Sequence, residues 1–188
     1  MSTTSLPVDP GTQLPIGTWQ ADTVHSSVGF AVTHMGVSTF RGRFERLEAT
    51  LTVGEDGSAQ LVGSAHADSL AVKDENLQAH LSSPEFFDTE RYPELHFASS
   101  SIRRDRDGNG VTLEGELTIK DQTHAIEARG SITDPSETLG GAVKLGLTLE
   151  TVIDRTQYGL SWNAPLPSGG VALANDVQLT IELELAQA

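Results

Sequence analysis

Apolar and polar residues alternate along most of this chain from Gly17 onward. Val28, Phe30 and Val32, for example, fall on one face of an extended segment, because successive side chains of a strand point to opposite faces. The same alternation recurs in short segments up to the C-terminus, separated by turn sequences such as DRDGNG at residues 105–110. We therefore predict eight to ten antiparallel strands, each with one apolar and one polar face.

One stretch interrupts this alternation. Leu77 and Leu81 are four residues apart, the spacing that places two side chains on the same face of a helix. The Ser-Pro-Glu sequence at 83–85 has the pattern of a helix N-terminus, and two phenylalanines follow it directly at 86–87. We predict a short helical insertion around residues 74–90, with the two phenylalanines acting as a plug or a cap.

Repeated short strands fit either a β-sandwich or a closed β-barrel. Immunoglobulin-type sandwiches usually carry a cysteine pair, and this chain contains no cysteine. A barrel of about eight strands is wide enough to be filled by its own side chains or to hold one small ligand. The fold class that we predict is all-β, an extended antiparallel β-barrel of about eight strands.

The inward-facing positions predicted by strand parity include several small residues, among them Gly42, Gly63, Ala65, Gly115 and Ala128. A core packed at normal density needs larger side chains, so one interpretation of these positions is an apolar tunnel. Alternatively, they mark bulges and bends, or they interdigitate with large side chains across a solid core. A tunnel would suit a long hydrocarbon chain, because each buried methylene contributes about 0.8 kcal/mol.

Charge and composition narrow the choice of partners. The 188 residues include 26 acidic and 12 basic side chains, for a formal net charge of −14. Nucleic acid is therefore not expected as a partner, since its binding depends on Lys and Arg contacts to phosphates. No apolar run has the length of a transmembrane helix. The N-terminus lacks the features of a secretory signal, so we expect a cytoplasmic protein with a disordered lead at residues 1–15.

Candidate chemistry is sparse in this sequence. The six histidines show no metal-ligand spacing such as HxH or HExxH, and no serine lies in a nucleophile motif. We therefore predict no metal, no cofactor and no enzymatic activity. His34 ends an apolar strand face, while Arg155 and Tyr158 follow the end of another strand. These three residues are candidates for contacting a polar head group at the mouth of a barrel.

Four segments together resemble the YceI-like family, the lipocalin-like polyisoprenoid-binding proteins. They are DTVHSSVGFAVTHMGVSTFRGRF (22–44), HLSSPEFFDTERYPELHF (80–97), LEGELTIKDQTHAIEARG (113–130) and DRTQYGLSWN (154–163). The resemblance implies a lipocalin-like barrel domain over residues 16–188. It also implies an apolar lipid ligand along the barrel interior: a polyprenyl chain, an isoprenoid quinone or a fatty amphiphile. Many members carry an Arg-Asp pair where this chain has Leu77 and Gln78.

Strand parity, together with this resemblance, gives a set of candidate pocket-lining residues. In addition to the three mouth residues, they are Val28, Phe30, Val32, Phe40, Phe44, Leu61, Phe86, Phe87, Leu95, Phe97, Leu117, Ile126, Leu145, Leu147, Leu179 and Ile181. The function we expect is that of a lipid carrier, store or sensor. The sequence leaves open whether the chain forms a homodimer.

Two other functions fit the same pattern. An enzyme acting on a small apolar substrate would use the same cavity, with His34 or Tyr158 as acid or base. A structural or interaction module would instead have an interior filled by its own side chains. The presence or absence of a cavity separates the solid-core module from the other two hypotheses.

Overall fold

The computed structural model describes residues 12–188 and shows an all-β protein with one short α-helix. The strands are β1 (Gly17–Ala21), β2 (Ser27–His34), β3 (Ser38–Phe44), β4 (Leu47–Val53), β5 (Ala59–His66), β6 (Leu70–Ala71), β7 (Glu94–Arg104), β8 (Gly110–Ile119), β9 (Gln122–Ile132), β10 (Ser136–Glu137), β11 (Val143–Asp154) and β12 (Leu173–Gln187). The helix α1 spans Glu75–Ser82, and short 3-10 helices span Ala67–Ser69 and Arg155–Tyr158.

The strands form a closed antiparallel barrel with eight strand positions around its circumference, some of which are occupied by two shorter strands placed end to end. β1 and β2 lie end to end along β12, since Ala21 pairs with Leu185 and Ser27 with Glu182. In the same way β3 continues into β4, and β5 into β6. The sheet closes because β12 pairs with β11 on one side and with β1 and β2 on the other. The predicted eight-stranded barrel is confirmed.

The alternation seen in the sequence is the alternation between the inside and outside of this barrel. In β8, Val111, Leu113, Gly115, Leu117 and Ile119 are buried, while the residues that alternate with them are partly or largely exposed. Gly42 and Gly115 are not empty positions, because a side chain at either one would collide with the ring of Phe30 or Phe97 on the neighbouring strand. At these two glycines, large and small residues interdigitate.

One end of the barrel, which we call the closed end, is packed solid. Trp19 is 2% exposed and Leu185 fully buried, and the indole of Trp19 donates a hydrogen bond of 3.1 Å to Pro15 O. Leu14 is also buried, and Arg104 donates to Gln13 O. Residues 1–11 of the predicted disordered lead lie outside the described residues, and the packed structure includes residues before 16.

The opposite end, which we call the cap end, carries α1 and the loops around it. The Asp74 side chain caps α1 by accepting a hydrogen bond of 2.8 Å from Leu77 N. Ser83 ends this helix instead of starting another, so the helix N-terminus predicted at 83–85 is wrong. The chain then turns through hydrogen bonds from Phe87 N to Leu81 O and from Asp88 N to Ser83 O. These turns direct the chain back across the barrel end.

No helix within residues 12–188 combines the length and the apolar character required to cross a membrane.

An ion network clamps the junction between β1 and β2. Lys144 Nζ lies 2.8 Å from Asp22 Oδ2 and 2.6 Å from Glu184 Oε1, and His25 Nδ1 lies 3.1 Å from Asp22 Oδ2. The hydrogen bond from Lys144, followed by that from His25, holds the pKa of Asp22 well below its usual range. The bonds to Asp22 and Glu184 raise the pKa of Lys144.

We predict that this network gives the protein a pH-dependent stability. The pKa of Asp22 is lower in the folded chain than in the unfolded one, so its contribution is present above about pH 4 and is lost below that. The raised pKa of Lys144 has the opposite sign, so its contribution holds up to about pH 10 and is lost above. Urea unfolding at several pH values should show a shallower acid-side decline for Asp22→Asn than for wild type.

Glu55→Gln in the exposed turn at 54–58 serves as the control and should retain the wild-type acid slope. Identical acid slopes for wild type and Asp22→Asn would contradict a stabilising role for this network.

Candidate ligand-binding site

A cavity of about 290 Å³ occupies the cap half of the barrel, and we call it the first cavity. It is lined by Val28, Gly29, Phe30, Val32, His34, Phe40, Phe44, Leu77, His80, Leu81, Phe86, Phe87, Leu95, Leu117, Ile119, Ile153, Arg155, Leu160, Trp162, Leu173, Val177 and Leu179. Among these lining residues, His34, His80 and Arg155 carry the ionisable side chains. The interior is therefore not filled throughout, which argues against the solid-core module.

A second cavity of about 110 Å³ lies deeper in the barrel. The small residues Gly63, Ala65 and Ala128 line it, so these inward positions leave space as the sequence suggested. Val28, Leu95 and Leu179 line both cavities. Because the two cavities share these walls, they form successive chambers along one apolar interior.

An aromatic cluster covers the first cavity at the cap end. The ring of Phe87 meets that of Phe44 edge to face at 5.6 Å between centroids. Phe86 packs 5.6 Å from Trp162, and the imidazole of His80 lies 5.0 Å from each of these two rings. Phe86 and Phe87 are only 6% and 8% exposed. The phenylalanine pair thus contributes to the cavity wall as well as to the packed cap.

Arg155 is the polar centre of the cap. This residue is 4% exposed, and its guanidinium donates hydrogen bonds to the backbone carbonyls of Leu160, Trp162, Leu173 and Ala174. Burial lowers the pKa of Arg155, and neighbouring Asp154 opposes that shift. These four bonds tie the loop after β11 to the start of β12, so Arg155 positions the rim of the cavity.

The two histidines of the first cavity have different surroundings. His80 Nε2 lies 2.7 Å from Glu85 Oε2, so this ring is oriented by a carboxylate at the surface. His34 ends β2, opposite Leu173 of β12, and is partly exposed at the rim. His34 therefore lies at the cap-end rim of the first cavity and is partly accessible to solvent.

The structure places most of the residues expected from the sequence around these two cavities. The first cavity contains Val28, Phe30, Val32, His34, Phe40, Phe44, Phe86, Phe87, Leu95, Leu117, Arg155 and Leu179. The second cavity adds Leu61, Phe97, Ile126 and Ile181. Their contact with a ligand stays a prediction.

Three expected residues lie elsewhere, which corrects their placement. Leu145 and Leu147 face inward but are each 2% exposed within the solid core near the closed end. Tyr158 packs outside the two apolar cavities, with its ring 5.0 Å from that of His124. Burial there raises the pKa of the Tyr158 hydroxyl. Strand parity separates inside from outside but does not show how far along the barrel a residue lies.

Sequence reasoning missed several lining residues of the cap: Leu77, His80, Leu81, Leu160, Trp162 and Leu173. Leu77 and Leu81 did carry a signal, because their spacing marked one face of a helix. Trp162 carried a weaker one, as a large aromatic residue in a loop without strand alternation.

A group of potential metal ligands lies away from both cavities. The ligand atoms of Asp22, His25 and Glu184 lie within 4.8 Å of one another. The Lys144 ammonium bonds to both carboxylates, so it already supplies the positive charge that this group attracts.

This chain is similar in sequence to a known protein family and to bacterial proteins. The YceI-like domain model matches residues 19–185. A UPF0312 protein of Staphylococcus aureus is 26% identical over 171 residues, which cover 88% of this chain and 95% of that protein.

Solved structures with the same fold include Burkholderia cenocepacia BcnA, with a TM-score of 0.73 and 19% identity, covering 87% of this chain and 98% of that one. A Campylobacter jejuni YceI protein has a TM-score of 0.68 and 23% sequence identity, covering 89% of this chain and 96% of that one. A domain from Saccharophagus degradans, described as polyisoprenoid binding, has a TM-score of 0.66 and 15% sequence identity, covering 93% of this chain and 100% of that one. With the barrel, the cap and the family match over residues 19–185 in agreement, this chain belongs to the YceI-like family.

Proposed function

We propose that this protein binds a long apolar molecule inside the barrel and acts as a lipid carrier, store or sensor. The observation that carries the proposal is the pair of successive apolar chambers, of about 290 and 110 Å³, that share Val28, Leu95 and Leu179. An elongated guest fits such a tandem arrangement better than a compact one. The proposed ligands are a polyisoprenoid, an isoprenoid quinone or a fatty amphiphile.

The affinity of such a ligand would come from its apolar length. Each buried methylene contributes about 0.8 kcal/mol, so one five-carbon isoprene unit contributes on the order of 4 kcal/mol before the costs of binding. Phe30, Phe40 and Leu179 face the interior and keep accessible surface there, so a guest would bury apolar area that the empty barrel leaves open.

The head group of the ligand is proposed to lie at the cap end, near His34. The N–H groups of Arg155 are directed at four backbone carbonyls. Arg155 would therefore act on a head group through the electrostatic field of its positive charge more than through free hydrogen-bond donors. The imidazole of His34 alone would supply the hydrogen-bond partner that a hydroxyl, amide or carbonyl head group needs. Tyr158, outside the cavities, is not part of this proposed contact.

The relatives support a binding protein over an enzyme. The Saccharophagus degradans neighbour is described as a polyisoprenoid-binding domain, and this chain shares its fold. Of the two acid–base candidates for an enzyme, His34 lines the first cavity while Tyr158 does not. The cytoplasmic location and a homodimer stay predictions.

The first test is direct identification of a guest. Protein purified from its own host and extracted with organic solvent should release an elongated apolar compound detectable by mass spectrometry. Protein stripped of this guest should bind a fluorescent polyprenyl analogue. Absence of extractable lipid, together with no binding of that analogue, would overturn the proposal.

A second test fills the deeper chamber. Ala128→Leu adds three carbons where Ala128 lines the second cavity, so the far end of a long chain loses its space. Binding of a long polyprenyl probe should weaken by about 0.8 kcal/mol for each methylene displaced, while a short probe keeps its affinity. The matched control is Val152→Leu on β11, where the side chain is 61% exposed. Equal weakening of both probes would argue against two connected chambers.

A third test probes the aromatic cap. Phe87→Ala removes a ring that is 8% exposed, and a large-to-small change at such a site costs about 3–5 kcal/mol in the free energy of unfolding. Because Phe87 also lines the first cavity, a bound fluorescent polyprenyl analogue should dissociate faster from this variant. Unchanged dissociation would leave Phe87 with a purely structural role.

A further inference from the structure

Two neighbouring turns at the cap end expose apolar side chains to solvent. The β2–β3 turn at 35–37 presents Met35, which is 39% exposed, and Val37, which is 85% exposed. The segment 164–172 folds back on itself and presents Val171, which is 51% exposed. Met35 N donates a hydrogen bond of 2.7 Å to Ala172 O and joins the two turns. We call these two turns the uncharged tip.

This tip lacks charge in a chain that is otherwise strongly acidic. The sequence has no Asp, Glu, Lys or Arg between Asp22 and Arg41, and none between Arg155 and Asp176. The chain as a whole carries a net charge of −14. The two uncharged segments come from distant parts of the sequence, and the fold brings both to the same end of the barrel.

The local backbone gives no structural reason for apolar residues in the β2–β3 turn. Met35 and Gly36 both have positive φ, 55° and 69°, and Val37 N donates to His34 O. This conformation favours Asn, Asp or Gly at the first central position, whereas a methionine there is strained. Met35 nevertheless has this backbone conformation, and its side chain remains exposed to solvent.

The uncharged tip is continuous with the first cavity. His34 immediately precedes Met35, and Leu173 immediately follows the segment 164–172, and both line that cavity. Trp162 lines it just before the same segment. An apolar chain leaving the cavity past these residues would therefore reach the exposed valine and methionine side chains along segments that carry no Asp, Glu, Lys or Arg.

We propose that the uncharged tip docks onto the surface of an electrically neutral lipid bilayer. A bilayer is the partner that accepts an apolar tip and also holds apolar chains next to the cavity entrance, a step that rests on the proposed function. Neutral lipid is specified because a protein with a charge of −14 is repelled by an anionic surface. Trp162 beside the tip fits this partner, since tryptophan favours the membrane interface.

Flotation with phosphatidylcholine vesicles tests the docking directly. The ligand-free wild-type protein should float with these vesicles and less with vesicles enriched in phosphatidylglycerol at low salt. The double variant Val37→Asp/Val171→Asp should bind phosphatidylcholine vesicles roughly tenfold more weakly or worse, because two apolar contacts are lost. The control, Val24→Asp/Leu139→Asp, adds the same charge at two exposed apolar sites away from the tip and should bind like wild type.

A fluorescent label can show which end docks, because the chain has no cysteine of its own. An environment-sensitive dye on Ser168→Cys at the tip should shift to the blue with phosphatidylcholine vesicles. The same dye on Glu55→Cys in the turn at 54–58, at the closed end, should not shift. No flotation of wild type, or equal shifts at both positions, would overturn the proposal.

Two further measurements separate the other outcomes. Binding of the fluorescent polyprenyl analogue should persist in Val37→Asp/Val171→Asp, so loss of docking with intact binding distinguishes this proposal from the proposed function. If the analogue fails to bind wild type while vesicles are bound, the proposed function fails and docking stands. If light scattering shows a wild-type dimer that Val37→Asp/Val171→Asp dissociates, the tip is covered by a second copy and the docking proposal is overturned.

Discussion

Closure of the sheet by β12 is the constraint on which the rest of the structure depends. One edge of β12 pairs with β11 over its length, and the other edge pairs with β2 and then β1. With both edges paired, every apolar strand face must point to a common interior. The diameter of that interior is set by the number of backbone strands, not by the side chains available to fill it. Where the side chains are too small or too few, space remains.

The interior is accordingly divided along its length. Near the closed end, Trp19, Leu147 and Leu185 are almost completely buried in the core. Toward the cap end, two chambers remain open, and rings such as Phe30 and Phe87 line the first of them while packing against neighbouring rings. Arg155 holds the loop that rims this open half through four backbone carbonyls. Solid packing thus lies near the closed end, and open space lies between it and the cap.

The cap end also differs from the rest of the molecule in surface chemistry. The Asp22–Lys144 pair belongs to the wall, where it clamps a strand junction, and acidic side chains such as Asp74 and Glu85 also flank the helix of the cap. The rim formed by His34, Leu173 and the tip is free of carboxylates and ammonium groups. The cap-end rim of the first cavity and the uncharged surface therefore lie next to each other, although the sequence positions that form them are more than a hundred residues apart.

The sequence by itself determined the strands, their apolar faces, the eight-stranded barrel and the helix marked by Leu77 and Leu81. It did so because alternation with a period of two, and spacing by four, are local properties of the backbone. Only the tertiary structure decided that Leu145 and Leu147 pack solid, that Ala128 borders a chamber, and that Tyr158 lies outside. Position along the barrel depends on register between distant strands, and empty space depends on the volumes of side chains brought together from all of them. Neither quantity is carried by any single stretch of the chain.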